Sequence, residues 1–592
     1  MCGIFGVLGF NHNKVLGESK ANHIINKLKH RGPDDIKVFC KTDFVLAHSR
    51  LAIIDPKNAI QPMVSEDGRW VIAFNGEVYN FLSLKRELEN KSIRIKTNSD
   101  TEVLFKGLIK YGTSFLERVK GMYAFVFYDM ANKEIILGRD HLGIKPLYYS
   151  ITKNHLVFAS EPKAILESKL IEKKINKDAI FEFLCRHSPP YLQTFYQDIL
   201  EVEPGSCLKI NYEKNIEKII YYKLEEGWKN FYKEDDYKNE GDFVNNLEEK
   251  LGSSIQRHLV SDVPVGLSLS GGIDSCLLAD FISKNKYLKE LSTFTYSATG
   301  KNDESKVANN VIKKLKNIKH HTIRSTKKEQ VQNIKKITKY FDGPVSYPSS
   351  MSLDLLSNQV NKKKIKVLLS GQGADELFFG YDRYTYLLKK LGRSKDHNFW
   401  AETLFYGRGD ENQNIVKSIT WRDDSIVESN YIWDWIKNNW DLPPEKKINI
   451  FDQKFRLLHL LKREDVVGMK NSVEFRVPYL DIDFLNWANG LNEKYKEKKK
   501  FLRKLLRPEI SKLLPKKKFG SVTSIDEWFK SESFFKSFLK IIKSNNSLSK
   551  THLNYAEIIK LLDKKLYKTK YSYILRNLYF LEIWFKNEKN WL

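Results

Sequence analysis

Cys2 follows the start methionine in the opening string Met1-Cys2-Gly3-Ile4-Phe5-Gly6-Val7. Met1 precedes a small residue, so an aminopeptidase would leave Cys2 at the terminus, with a thiol and a free α-amine on one residue. The amine has a reference pKa of about 8. It is partly neutral at pH 7 and can act as a base for the thiol. Four segments supply what such a nucleophile needs: His30-Arg31-Gly32-Pro33-Asp34-Asp35, a charged turn; Ala47 to Asp55, a strand with a polar entry; Phe74-Asn75-Gly76-Glu77, a tight Asn-Gly turn after the apolar strand Trp70 to Phe74; and Ser99-Asp100-Thr101-Glu102, a helix start. A thiolate attacking a carboxamide creates an oxyanion, for which the Asn75 side chain and the Gly76 backbone N–H are candidate donors. The α-carboxylate and α-ammonium of glutamine need a guanidinium and a carboxylate, and Arg50 and Asp100 suit those roles. Singly, each motif has a plainer reading: Asn-Gly as a hairpin turn, Ser-Asp-Thr-Glu as a helix cap, Arg50 as a surface cation.

A second constellation lies in the middle of the chain. An apolar strand, Val263 to Leu269, runs into Ser270-Gly271-Gly272-Ile273-Asp274-Ser275, and a helical stretch (Cys276, Leu277, Leu278, Phe281, Ile282) follows. Strand, glycine loop and helix form the geometry that cradles phosphate, because glycines admit close backbone approach and helix N–H groups face the anion. The Gly-Lys-Ser/Thr ending of a Walker A loop is absent. The pattern repeats as Ile365 to Leu369 followed by Ser370-Gly371-Gln372-Gly373-Ala374-Asp375-Glu376. Two such loops at the carboxyl ends of parallel strands would face one crevice. Asp274 and Asp375 are then natural Mg²⁺ ligands, since departing pyrophosphate needs its charge neutralised. Asp342-Gly343-Pro344 and Pro348-Ser349-Ser350 read as pocket-lining turns.

With Gly121 to Phe125, Gly138 to Tyr149 and Ala159-Ser160-Glu161, the first constellation resembles the glutaminase domain of class II glutamine amidotransferases. The resemblance covers roughly residues 2 to 210. It implies an Ntn-type antiparallel β-sandwich flanked by helices, with Cys2 as nucleophile, Asn75 and Gly76 as oxyanion hole, and Arg50, Ile54, Glu77 and Asp100 around glutamine. From about Leu251 to Gly520 the chain is similar to the ATP-pyrophosphatase domain of glutamine-hydrolysing asparagine synthetases. That implies a doubly wound parallel sheet with extra helices. It also implies an ATP site of Leu267, Ser268, Ser270, Gly271, Gly272, Asp274, Ser275, Ser370, Gly371, Gln372 and Lys499, with Mg²⁺ on Asp274 and Asp375. Lys499 fits the spacing within Lys498-Lys499-Lys500, the register being open by one residue.

The expected fold class is thus α/β with α+β in two domains: a glutaminase domain over 2–210, a linker over 211–245, and a synthetase domain over 246–592 ending in a divergent helical tail. The implied reaction hydrolyses glutamine and passes ammonia through a dry passage, where it stays unprotonated. There it attacks a carboxylate activated as an acyl-adenylate, giving an amide, AMP and pyrophosphate. The departures concern the acceptor. Family members usually carry glutamate where this chain has Gln372, and glutamine cannot be a base. Val466, Gly468 and Lys470 replace the usual arginine, serine and alanine. Residues 385–450 and the stretch from Phe519 onward match weakly. Aspartate is the leading acceptor. Another carboxylate, such as a sugar uronate in surface-polysaccharide synthesis, is the alternative.

Composition sets the outer bounds. The 592 residues suffice for two large domains with full cores. The five cysteines, at 2, 40, 185, 207 and 276, include no Cys-x-x-Cys, so neither a zinc site nor a disulfide framework is expected, and a reducing cytoplasm fits. No signal peptide is legible, and no stretch approaches the roughly 18–20 apolar residues of a spanning helix. The net charge of +26 invites a nucleic-acid partner. The lysines are scattered, however, and no RNA-binding motif accompanies them, so a solvated basic surface is expected; Lys516-Lys517-Lys518 is read the same way. Glutamine and a carboxylate are the expected partners, with a homodimer left open. Two other functions compete: a non-catalytic sensor of glutamine or nucleotide, and a synthetase using free ammonia alone. Intact Cys2, Asn75, Asp100, Asp274 and Asp375 argue against both.

Overall fold

The structure is a computed structural model. It describes residues 2–229, 237–297, 303–406, 411–420, 431–515, 528–529, 531–563 and 572–588. In chain order the strands are β1 (Gly3–Gly9), β2 (Asp35–Cys40), β3 (Phe44–Arg50), β4 (Met63–Val64), β5 (Trp70–Val78), β6 (Gly121–Asp129), β7 (Glu134–Arg139), β8 (Tyr148–Ile151), β9 (His155–Ala159), β10 (Leu200–Glu201), β11 (Ser206–Asn211), β12 (Ile216–Ile220), β13 (Val265–Ser268), β14 (Leu291–Ser297), β15 (Ile318–Arg324), β16 (Val367–Leu369) and β17 (Glu474–Arg476).

Two sheets with antiparallel pairings form the N-terminal part. One has the order β10-β8-β9-β1-β3-β2, the other β12-β11-β7-β6-β5-β4. Ile4, Leu8 and Leu46 of the first pack with Val71, Ala73, Ala124 and Val126 of the second in one buried cluster. This is an α+β sandwich held by its inward-facing side chains. β1 is buried along its whole length between β9 and β3, so Cys2 enters directly from a rigid central strand.

The third sheet is parallel in the order β15-β14-β13-β16-β17. Parallel neighbours require crossovers, which helices such as Ile273–Lys284 and Ser350–Lys362 provide. Strand order reverses between β13 and β16, and a doubly wound sheet opens its ligand crevice at that reversal.

Several expectations are corrected. Asn75 and Gly76 are not a turn: β5 runs on through them, with Asn75 opposite Ala124 and Gly76 opposite Tyr123. The glycine is needed for close approach, since a Cβ at 76 would lie 2.1 Å from the Met122 carbonyl oxygen. β3 ends at Arg50, because Leu51 to Asp55 turn to wrap the Arg50 guanidinium. β13 and β16 are shorter than the apolar runs that suggested them. The stretch expected as linker begins with β12, paired to β11 as a sheet edge, and ends in the helix Glu240–His258. Lys516, Lys517 and Lys518 lie outside the described residues, as do Phe519 and Gly520.

The tail returns to the N-terminal part. On its last helix, Ser572–Glu588, Trp584 packs 5.2 Å from Phe195 (ring centroids) and Lys173 reaches Glu588 at 2.8 Å. Among the described residues no helix is long and apolar enough to cross a membrane.

Candidate active sites

The first site is built around Cys2. Its backbone N–H donates to Asn75 Oδ1 at 2.8 Å, and its carbonyl accepts from Arg31 Nε at 3.0 Å. Asn75 is fully buried on β5, and its Nδ2 has no partner among the described residues. A buried donor left unspent is costly unless something arrives to accept it. Burial pushes the Cys2 thiol up, opposed in part by a backbone hydrogen bond from Leu51 and by Arg50.

The other residues expected around glutamine are held as follows. Arg50 is anchored by the carbonyls of Pro56 at 2.8 Å, Asp55 at 2.9 Å and Ile54 at 3.4 Å, the last being how Ile54 takes part. Ser99 caps the helix Asp100–Tyr111 by accepting from the Thr101 N–H. This cap sets Asp100 at the first turn, where its carboxylate accepts from Val78 N–H at 2.9 Å and Thr101 N–H at 2.8 Å. Burial drives Asp100 up to about 6, against those two hydrogen bonds. Glu77 is likewise pushed well above its usual range by burial, with Arg476 opposing.

The second site is built from two loops. In the first, the Ser275 hydroxyl accepts the Ser270 N–H at 3.0 Å and the Ser270 hydroxyl accepts the Gly272 N–H at 3.2 Å, which curls the loop over the start of the helix Ile273–Lys284. Leu267 and Ser268 are the last residues of β13, and Leu267 pairs with Leu369 of β16. In the second loop the Ser370 hydroxyl accepts the Gln372 N–H at 3.3 Å. The loops touch: a Cβ on Gly371 would lie 2.9 Å from that of Asp274.

Within Lys498-Lys499-Lys500, Lys499 is the residue that reaches both loops. Its Nζ lies 2.7 Å from Asp274 Oδ2 and 2.5 Å from Asp375 Oδ1, whereas Lys500 turns away toward Glu240 at 3.8 Å. Burial alone would lower Lys499, but the two carboxylates hold it above its usual value. Two carboxylates converging on one cation also suit a divalent ion carrying phosphates. Gly380 makes room, since a Cβ there would lie 1.9 Å from Asp375 Oδ1.

Residues given no role from sequence join the two sites. Arg476 on β17 is fully buried, with its Nε 2.7 Å from Glu474 Oε1 and its Nη2 3.2 Å from Glu77 Oε1 in the first site. Its backbone carbonyl accepts the Ser370 N–H of the second site at 2.8 Å. Arg31 makes a parallel link, from the Cys2 carbonyl to Asp465 Oδ2 at 2.9 Å and Glu161 Oε1 at 3.2 Å. Lys145 is buried between the halves, its pKa lowered by burial despite Glu474 and Asp465 nearby. Arg31, Lys145 and Glu161 all fell inside recognised motifs. No local signal could pair Arg31 with Asp465, which is 434 positions away.

Comparison with known proteins finds two family matches along the chain. Residues 1–222 match the family described as glutamine amidotransferase domain, and residues 246–586 match the family described as asparagine synthase. A glutamine-hydrolyzing asparagine synthetase of Bacillus subtilis is 28% identical over 572 residues, covering 90% of this chain and 88% of that protein. A putative glutamine-hydrolyzing asparagine synthetase of Methanocaldococcus jannaschii is 32% identical over 403 residues, 64% of this chain and 76% of that protein. Asparagine synthetase B of Escherichia coli is 30% identical over 396 residues, 64% of this chain and 65% of that protein.

Proposed function

This chain belongs to the asparagine synthase family and is a glutamine-dependent, ATP-using amide ligase, and from that premise we propose the acceptor, the site roles and the route between sites. The observation that carries the proposal is Arg476: its backbone fixes the Ser370 loop while its guanidinium pairs with Glu77 of the glutamine pocket. One residue bound to both loops supports a reading in which ammonia passes directly from one centre to the other.

With Met1 removed, the Cys2 α-amine takes the thiol proton and the sulfur adds to the glutamine carboxamide carbon. The oxyanion falls to the unspent Asn75 Nδ2–H and the Gly76 N–H. Arg50 holds the substrate's carboxylate, while Asp100 and Glu77 hold its ammonium. The Cys2 α-ammonium gives the thiol's proton to the leaving nitrogen, the C–N bond breaks, ammonia leaves, and water cleaves the thioester to glutamate and free thiol.

At the second site an oxygen of the acceptor carboxylate attacks the α-phosphorus of ATP, and pyrophosphate leaves with the bonding electron pair. The Ser270-Gly271-Gly272 loop and the helix behind it cradle the phosphates, and Lys499 neutralises charge. Asp274 and Asp375 would hold Mg²⁺, which supplies charge neutralisation when bound. Ammonia then displaces AMP from the acyl carbon.

Aspartate is the acceptor best supported, resting on the relatives' names. Residues 2–210 and 246–592 are the units we assign to the two half-reactions. The test is pyrophosphate release with ATP, Mg²⁺ and glutamine, with and without aspartate. Aspartate-dependent release with asparagine formed supports the reading; glutaminase activity without that stimulation rejects aspartate.

A further inference from the structure

Joining ammonia to an acyl-adenylate releases a proton from nitrogen as the C–N bond forms, and some group near the second loop must take it. Gln372 carries no ionisable group. Asp274 and Asp375 are committed to Lys499. Glu376 accepts from the Tyr381 hydroxyl at 2.7 Å. Among the described residues, a further carboxylate beside the loop is Glu464, on the helix Leu458–Lys470, bonded to Ser370.

Glu464 is 6% exposed. Its Oε1 accepts from the Ser370 hydroxyl at 3.0 Å, and its Oε2 is buried with no partner among the described residues. A carboxylate kept only for structure in such a place is expected to be paired and to have both oxygens filled. Here Arg463 stands 3.9 Å away and spends one of its amines on the Ser349 hydroxyl at 2.9 Å. The adjacent Asp465 binds Arg31, which in turn holds Cys2. One turn of helix therefore faces the thiol's surroundings with one residue and the adenylation loop with the next.

We propose that Glu464 is the base of the amide-forming step, a role that rests on the adenylation reading above. The ammonia nitrogen bonds to the acyl carbon. The resulting ammonium gives one proton to Glu464 Oε2. The carbon–oxygen bond to phosphate then breaks, and AMP leaves with the electron pair. Atoms and charge balance, the proton being passed to solvent before the next turnover.

Burial pushes this carboxyl up to about 7. Arg463 on its own helix, the Ser370 hydroxyl and Lys145 from the N-terminal part oppose the shift, and Glu376 adds to it. A base with that value is substantially ionised at neutral pH and can reset each cycle.

The test compares wild type with Glu464→Gln, which keeps an oxygen for the Ser370 hydroxyl, and with Glu464→Asp. Two quantities are read on the same preparations: carboxylate-dependent exchange of labelled pyrophosphate into ATP, and amide formed from ammonium, each across pH 5.5–9. The carboxylate is one that drives exchange in the wild type, aspartate being tried first. For Glu464→Gln the ratio of amide formation to exchange should fall about 100-fold. The inflection near pH 7 in the amide profile should disappear, and Glu464→Asp should recover part of both. An amide-to-exchange ratio, or a pH inflection in the amide profile, that stays at its wild-type value in Glu464→Gln overturns the proposal. A wild type that exchanges pyrophosphate with no carboxylate overturns the adenylation reading and this role together.

Discussion

Glutamine capture should strengthen as pH rises through about 6, because Asp100 must be ionised to hold the substrate's ammonium. Burial raises this carboxyl, so its charged form is the costly one while the pocket lacks glutamine, and protons compete with substrate. One unit below its pKa about a tenth of the carboxyls are ionised, and one unit above about nine-tenths. Between pH 5 and 7 kcat/KM for glutamine should therefore rise roughly tenfold, mostly through KM. The Cys2 thiol is shifted upward by burial, so its titration falls on the alkaline side of this window. Asp100→Asn cannot supply the charge and loses one of two accepted N–H bonds. Hydrogen bonds to charged groups are worth about 1.5–3 kcal/mol, so the variant should lose roughly 10- to 100-fold at pH 7 and lose the part of the acid limb centred near pH 6, leaving only what Glu77 contributes. The assay is glutamate release from glutamine, wild type beside variant, over pH 5–8. An Asp100→Asn enzyme keeping the wild-type acid limb would refute the reasoning.

Other outcomes are equally direct. Gly380→Ala puts a Cβ within 1.9 Å of Asp375 Oδ1 and 2.3 Å of Lys499 Cε; pyrophosphate release should collapse while glutamine hydrolysis persists, and parallel loss of both would contradict the two-site layout. Glu201 is held at about 2, since Lys462 and Arg139 outweigh the burial that would raise it. A depressed carboxyl stabilises the fold above its unfolded value and loses that contribution as pH falls through about 2, a shift worth about 3 kcal/mol at neutral pH. Glu201→Gln should accordingly lower stability in denaturant titrations at pH 7, with the gap to wild type closing as pH drops below about 4; a gap independent of pH would show that the pairing with Lys462 and Arg139 contributes nothing.

Much of the local geometry at each candidate site was legible because it is carried by short strings. Ser270 to Ser275 announces a glycine loop at a helix start, and Ser99 to Glu102 a capped helix, since both depend on neighbours along the chain. The Asn75-Gly76 turn failed as a reading because the glycine answers a neighbouring strand, through the Met122 carbonyl, and not a chain reversal. Long-range partners left no trace. The task of Arg476 is set by Glu77, nearly four hundred positions earlier, and by the Ser370 N–H. Glu464 drew no notice, because one carboxylate on an amphipathic helix is ordinarily a solvated charge; only packing reveals it as buried and half-satisfied.

The central claim is two centres in one chain, joined by ammonia. Its most direct test is amide formation by wild type and Cys2→Ala, each given ATP, Mg²⁺ and aspartate with either glutamine or ammonium as nitrogen source. The account predicts that Cys2→Ala loses synthesis from glutamine and keeps synthesis from ammonium, with AMP and pyrophosphate released in step with amide. Loss of synthesis from both sources in a folded variant, or its retention from glutamine, would contradict the account.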